Sequence, residues 1–335
     1  MEVATPAVAR NGNPGIVPPH LRQPTPPNRA VPAPHISPLS VSGAEAHDHQ
    51  ALQAIEIARG ANSNTANFSF ATRLDLRHVI DRGDMPGDAS DAERQAARST
   101  LNDVQKMFTN IGVKAYEGNG PGMRVIFNSS FPNAAYVPEE DVMIIGRSPS
   151  GKSFAFAKDV IAHEYSHRVA DFILRIEPAG ESGAVNESLA DTYAAAVDTD
   201  DWMVAEDVVS GGVRDMLHPE RPQDAVSIDG GPKKPLPGHM KDYMTVHADV
   251  DQGGVHLNMG IPNKAAALIG EKLGRQTMAQ IYLDAMRNHM GPLSTIASTA
   301  KATMRATSAR FGTNSPEMKT VVKAWDAVGI VEGAS

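Results

Sequence analysis

At 335 residues the chain is long enough for two domains of about 150 residues each. Hydrophobic residues make up 41% and charged residues 21%, which excludes a wholly disordered or membrane-embedded chain. No apolar run approaches the roughly 20 residues needed to cross a bilayer. A net charge of -8 without a basic stripe argues against a nucleic-acid partner. Cysteine is absent, so disulfides, thiolate ligands and cysteine nucleophiles are excluded, and any metal chemistry must use His, Glu and Asp.

Ten of the 24 prolines fall within residues 1–38. The segment 1–45 is Pro-rich with few large apolar residues, so it cannot pack a core. No basic start is followed by an apolar stretch, and no Sec signal peptide is expected. Ala46 to Arg59 reads as a short helix and Asn67 to Leu76 as a strand-like stretch. Over Asp88 to Ile111, Ser90 is an N-cap with Glu93 three residues on, and Leu101, Val104, Met107, Phe108 and Ile111 share one face, predicting an amphipathic helix. Met123 to Phe127 and Asp141 to Ile145 read as strands, separated by a turn-rich stretch holding Asn133, Ala134, Ala135 and Tyr136. Beyond Phe156 the pattern is helical, with helices expected at Lys158 to Leu174, Gly183 to Val197, Trp202 to Val209, Pro262 to Leu273, Arg275 to Met290, Pro292 to Phe311 and Ser315 to Val328. The expectation is an α+β chain, with an N-terminal α/β sheet domain over 46–160 and a mainly helical domain over 161–335.

Residues 163 to 167 read His-Glu-Tyr-Ser-His, flanked by the apolar positions Val160, Ile161, Val169, Phe172 and Ile173 of a buried helix. Imidazoles at i and i+4 lie on one helix face, the spacing at which both can bind one zinc ion. Glu164 sits beside them, placed to take a proton from a water that the metal activates and to return it to a leaving amine. The plainer reading is a chance motif with two hydrogen-bonded core histidines. A catalytic zinc site requires a third ligand. Positions 170 and 173 are Ala and Ile, which excludes the His-x-x-Gly-x-x-His continuation. Downstream, Glu187 and Asp191 lie one turn apart on a second helix. Glu187 can complete a His, His, Glu site while Asp191 orients a ligand histidine. The alternative for that pair is a solvated acidic helix face.

At this point the sequence resembles the thermolysin-like neutral metallopeptidases, and within them the protealysin-like branch. The resemblance rests on HEYSH at 163–167, ESGAVNESLAD at 181–191, DWMVAEDV at 201–208, VRDM at 213–216, DQGGVHLNMGIPNKAA at 251–266 and AWDAVGI at 324–330. It implies zinc held by His163, His167 and Glu187 in a cleft between the two domains, with Glu164 as general base. It also implies that His256, oriented by Asp251, stabilises the oxyanion, where the residues alone would read a loop histidine. By the same resemblance Arg214 holds a substrate carbonyl, Asn133 and Ala134 belong to an edge segment that pairs with the substrate main chain, and Val160, Val204, Val208 and Val213 line an apolar pocket beyond the scissile bond. Asp159, Asp198, Asp201 and Glu206 fall at or near the family's calcium positions, where a solvated acidic loop is the other reading.

One departure is evident, because Pro178 stands where the family carries a tyrosine that assists the oxyanion. Losing one such donor costs on the order of 100-fold in rate. Val17-Pro18-Pro19-His20-Leu21 is similar to an element near the start of protealysin-like precursors and implies a short propeptide and a zymogen, while a linker or a translocation signal suits the same composition. The chain is thus expected to be a monomeric zinc endopeptidase cleaving peptides or proteins on the N-terminal side of hydrophobic residues. It would be secreted by a non-classical route, or cytoplasmic. The alternative is a weak or inactive relative using the same cleft as a protein-binding or toxin module.

Overall fold

In the computed structural model, which describes residues 35–36, 56–57, 78–80, 89–113, 122–221, 226–227 and 233–330, the first long helix starts where its capping residues place it. Helix α1 (Asp91–Asn110) has Ser90 as N-cap, and Ser90 and Glu93 form a reciprocal capping box that satisfies two amides the helix itself cannot. Its buried face is Ala97, Leu101, Val104, Met107 and Phe108, with Ile111 closing the C-terminus, as the periodicity predicts. The helix expected over Ala46 to Arg59 and the strand over Asn67 to Leu76 lie outside the described residues, except Glu56 and Ile57, which are helical.

A five-stranded sheet runs in the order β1 (His35–Ile36), β4 (Ala134–Val137), β5 (Val142–Ile145), β3 (Met123–Phe127), β2 (His78–Ile80). Strands β2, β3 and β5 are parallel; β4 is antiparallel to β5, and β1 is antiparallel to β4 with His35 opposite Tyr136 and Ile36 opposite Ala135. The stretch expected to be a turn between strands is therefore itself the strand β4. Every residue of β4 and β5 is buried, so neither carries the polar-apolar alternation that marks a half-exposed strand. Side-chain direction still alternates in pairs. Met123, Val125, Phe127, Ala134, Tyr136, Met143 and Ile145 join the helical core, while Ile126, Ala135, Val137, Val142 and Ile144 pack with Phe131 on the opposite face.

Helix α2 (Lys158–Leu174) has the expected bounds and ends at Arg175, which adopts the left-handed conformation common at helix C-termini. Of the flanking apolar positions, Val160, Ile161 and Val169 are buried, but Phe172 is exposed. Helix α3 (Gly180–Val197) follows, rich in small residues that permit close approach; a Cβ on Gly183 would lie 2.4 Å from Val255 Cγ1 and 2.5 Å from the Pro178 carbonyl oxygen. Phe108 of α1 ties the layers together, its ring centroid 4.9 Å from Tyr193 of α3 and 6.2 Å from Tyr165 of α2.

The helix expected at Trp202 to Val209 does not form. Met203–Val204 is a strand, β6, paired with β7 (Arg214–Asp215). The Ala205 amide is taken by the buried Asp159 carboxylate and Ala205 has φ +65, so a tertiary partner claims an amide that a helix would need. A second small pair, β8 (Val226–Ser227) and β9 (Lys233–Lys234), precedes α4 (Asp251–Asn258), α5 (Gly260–Leu273), α6 (Arg275–Asn288), α7 (Ile296–Phe311) and α8 (Pro316–Ala327). Helix α7 starts later than Pro292 because Thr295 caps it with Ser298, and Ser315 caps α8 ahead of Pro316. Trp325 of α8 is fully buried and donates its indole N–H to Thr303 of α7 at 2.8 Å. Among the described residues no helix is long and apolar enough to cross a membrane.

Candidate active site

Helices α2 and α3 bring His163 and His167 of the one against Glu187 and Asp191 of the other. His163 and His167, one turn apart on α2, point their Nε2 atoms toward each other at 2.9 Å. From α3, Glu187 Oε2 lies 3.3 Å from His163 Nε2 and Oε1 lies 3.6 Å from His167 Nε2. All three residues are buried, and one ligand atom from each falls within 4.8 Å of the others. Nδ1 of His163 stands 2.7 Å from Asp191 Oδ1. A carboxylate can only accept there, so the neutral imidazole carries its proton on Nδ1 and presents the Nε2 lone pair to the cluster. Two imidazole nitrogens and a carboxylate converging on one enclosed point are the donor set of a three-ligand zinc site, and the residues fit that metal.

The surrounding field suits a cation. Burial pushes the His163 pKa down, but the hydrogen bond and charge of Asp191, with Glu187 and Glu164, raise it to about 10. Proton and metal compete for the same Nε2 lone pair, so the carboxylates that favour the one favour the other. Burial would raise the Glu187 carboxyl, yet the facing histidines His167 and His256 hold it well below its ordinary value. Asp191 is fully buried and also lies well below the usual carboxylate range, held there by Arg214 and His163 against the cost of burial. Arg214 donates to it from Nε at 2.7 Å and from Nη2 at 2.5 Å, and Asn263 of α5 donates from Nδ2 at 2.7 Å. Arg214, which the resemblance assigns to a substrate carbonyl, therefore spends two donors on Asp191, with Nη2 3.4 Å from His163 Nδ1.

Glu164 is fully buried next to this cluster, and its Oε2 accepts the backbone N–H of Tyr136 at 2.8 Å. His256 also approaches the cluster, Nε2 lying 3.5 Å from Glu187 Oε2. It sits on helix α4, not in a loop. That helix begins with four successive left-handed residues, Asp251 to Gly254, of which Gly253 and Gly254 adopt φ +87 and +85 without a Cβ penalty. The turn folds Asp251 back so that Oδ1 meets His256 Nδ1 at 2.5 Å and Oδ2 accepts the amides of His256 and Leu257. Burial lowers the His256 pKa, but the charges of Asp251 and Glu187 raise it to about 9.

Other expected positions are placed differently. Asn133 is buried just before β4, its Oδ1 accepting the Ala134 amide at 2.9 Å. The strand it leads is not an edge, because β1 of the same chain is hydrogen-bonded along its outer side. Of the four acidic candidates, Asp198 and Glu206 gather with Asp207, a residue the sequence reading did not include. Asp159 instead accepts the Ala205 and Val160 amides, and Asp201 accepts that of Met203. Pro178 is buried in the connection between α2 and α3 and offers no side-chain donor. Asn263, 72 residues from Asp191 in sequence, and Tyr136, 28 from Glu164, carry no local signal of their roles. Arg168 did carry one, as an arginine inside an apolar helix needs a buried partner.

Known proteins share this arrangement of elements. The family described as thermolysin metallopeptidase, alpha-helical domain, matches residues 175–330. Bacillolysin of Brevibacillus brevis is 30% identical over 286 residues, covering 81% of this chain and 51% of its own length. A zinc metalloproteinase of Listeria monocytogenes is 34% identical over 200 residues, 59% of this chain and 38% of that protein. The chain thus spans about half the length, or less, of these relatives. In fold it is similar to the precursor of protealysin, a metalloproteinase from Serratia proteamaculans, with a TM-score of 0.64 at 24% identity over 88% of this chain and 96% of that one. An α+β fold with a helical C-terminal half, a buried His, His, Glu cluster and these relatives lead to one assignment: residues 175–330 belong to the family described as thermolysin metallopeptidase, alpha-helical domain, and the chain as a whole is similar to thermolysin-like metallopeptidases.

Proposed function

We propose that the protein is a zinc-dependent endopeptidase that cleaves on the N-terminal side of hydrophobic residues. The observation that carries this reading is the convergence of His163, His167 and Glu187, with the buried Glu164 and His256 beside them. Zinc held by those three side chains supplies a Lewis acid that polarises the scissile carbonyl and eases deprotonation of the attacking water. Glu164 accepts the water's proton and passes it to the departing amine. His256, protonated at neutral pH and fixed by Asp251, donates from Nε2 to the oxygen on which negative charge develops. Asn133, Ala134 and the strand beyond them pair with the substrate main chain, Arg214 serves a substrate carbonyl, and Val160, Val204, Val208 and Val213 receive the hydrophobic side chain.

The strand position that a substrate would take beside β4 is held by His35–Ile36 of the same chain. This supports a precursor reading, in which the N-terminal segment competes with substrate until it is removed or displaced.

The test is cleavage of a quenched peptide with Leu or Phe after the scissile bond, with and without chelator, paired with metal analysis. One zinc per chain and cleavage lost with chelator and in Glu164→Ala are expected. Activity surviving Glu164→Ala, or a protein that cannot be reconstituted with zinc, overturns the assignment. Pro178 favours a second reading, a binding module with a weak or silent site; zinc without cleavage after removal of residues 1–45 would establish it.

A further inference from the structure

Arg168 follows the second histidine of α2, is buried, and has no part in the chemistry above. Its guanidinium grips Asp141 in a two-pronged ion pair, Nε to Oδ1 at 2.5 Å and Nη2 to Oδ2 at 2.7 Å. Asp141 ends the turn between β4 and β5, and its Oδ1 also accepts the phenol O–H of Tyr136 at 3.1 Å. Tyr136 lies within β4, and its N–H is the donor to Glu164. Glu164 and Arg168 are four residues apart on one face of α2. The contacts therefore close a ring that leaves α2 at Arg168, passes through Asp141 and both ends of Tyr136, and returns to α2 at Glu164.

Asp141 adopts φ +48, a conformation that Gly or Asn would serve equally well in a turn. What the turn does not require, the ring does: a carboxylate that takes the arginine fork and the phenol together. The zinc-type ligands His163, His167 and Glu187 take no part in the ring.

We propose that Arg168, Asp141 and Tyr136 are positioning residues that hold the Glu164 carboxylate in the orientation from which it accepts the proton. This rests on Glu164 being the general base. Disturbing the ring should thus slow the chemical step without weakening substrate binding or releasing metal.

The experiment uses the 335-residue chain carrying Asp141→Asn, which keeps the side-chain size and the left-handed turn but removes the charge. Its kcat should fall by about 10- to 100-fold. KM should stay within about twofold of wild type, the signature of an interaction that matters in the transition state rather than in binding. Zinc per chain should be unchanged, and the Tyr136 amide should exchange faster in hydrogen-exchange measurements on the metal-free protein. Arg168→Lys, which keeps the charge without the fork, should recover part of the loss relative to Arg168→Ala. If Asp141→Asn fails to fold, Tyr136→Phe removes the phenol hydroxyl alone, and the same fall in kcat at constant KM is expected. Unchanged kcat in a folded variant overturns the proposal, and so does a fall in kcat that merely tracks loss of zinc. Wild-type protein that binds zinc but cleaves nothing even after removal of residues 1–45 would defeat the peptidase reading instead; unchanged Tyr136 exchange in Asp141→Asn would still overturn the ring.

Discussion

Replacing Asp191 with asparagine keeps the volume but removes one charge on which four donors converge: Nδ1 of His163, Nε and Nη2 of Arg214, and Nδ2 of Asn263. An amide oxygen serves only one side of that constellation, and its NH2 then faces donors on the other. On the Oδ2 side Asn263 can turn over and offer its own Oδ1, a buried atom that has no hydrogen-bond partner in the native protein. Arg214 has no such recourse. Its guanidinium stays buried without its counter-charge, which costs about 3 to 5 kcal/mol of stability. If the new NH2 faces His163, the imidazole must move its proton to Nε2 and lose the lone pair a metal needs. Zinc affinity then falls by about 10- to 100-fold. At fixed free zinc this widens the stability gap by a further 1.4 to 2.8 kcal/mol or thereabouts, about RT ln of the affinity ratio. Denaturant unfolding of metal-free wild type and variant gives the first number. Repeating it at buffered zinc, with competition against a chromophoric chelator, gives the second. A metal-free variant within about 1 kcal/mol of wild type that also binds zinc normally would refute the account of Asp191 as the shared anchor.

Other consequences are equally direct. His256→Ala removes the donor proposed for the developing oxyanion; peptide hydrolysis should lose on the order of 100-fold in kcat with little change in KM, and a loss confined to KM would contradict that role. Burial pushes the Asp159 carboxyl up to about 7, aided by Glu206 and Asp198 and opposed by the Ala205 and Val160 amides. Its folded pKa lies above the 3.8 of an unperturbed aspartate, so the folded protein holds the extra proton and stability falls as pH rises from about 4 to about 7, by up to about 4 kcal/mol. Unfolding midpoints across that range should show this fall in wild type and not in Asp159→Asn; parallel curves would contradict it. Deleting residues 1–45 removes β1 from the outer side of β4 and should raise kcat/KM on a quenched peptide, whereas equal values before and after deletion would show that β1 does not block the cleft.

Where chemistry is local, it was legible in the sequence. The capping pair Ser90 and Glu93, the apolar face of α1 and the bounds of α2 follow from spacing alone, because each depends on residues within one or two turns. The two histidines of the site share a helix face for the same reason, and Glu187 and Asp191 are likewise one turn apart. What remained illegible depends on partners distant in the chain. Trp202 to Val209 has an apolar pattern that suits a helix, but Asp159, 46 residues earlier, captures the Ala205 amide and the segment forms β6 instead. Strand β4 is buried on both faces and shows no alternation, so it read as a turn.

The sequence by itself determined which side chains could hold a metal, since the i, i+4 imidazoles and the one-turn carboxylate pair are properties of helices wherever those helices lie. Only the tertiary structure decided that α2 and α3 face each other, that Asp191 orients His163 with Arg214 and Asn263 around it, and that His256 enters from a third helix. It alone placed Tyr136 on Glu164, tied Arg168 to Asp141, and laid His35–Ile36 along β4. The physical reason is one of range. Helical periodicity and capping are set by neighbours within a few residues, whereas the partner of a buried charge or amide is whatever group packing brings within about 3 Å, and sequence separation does not record that distance.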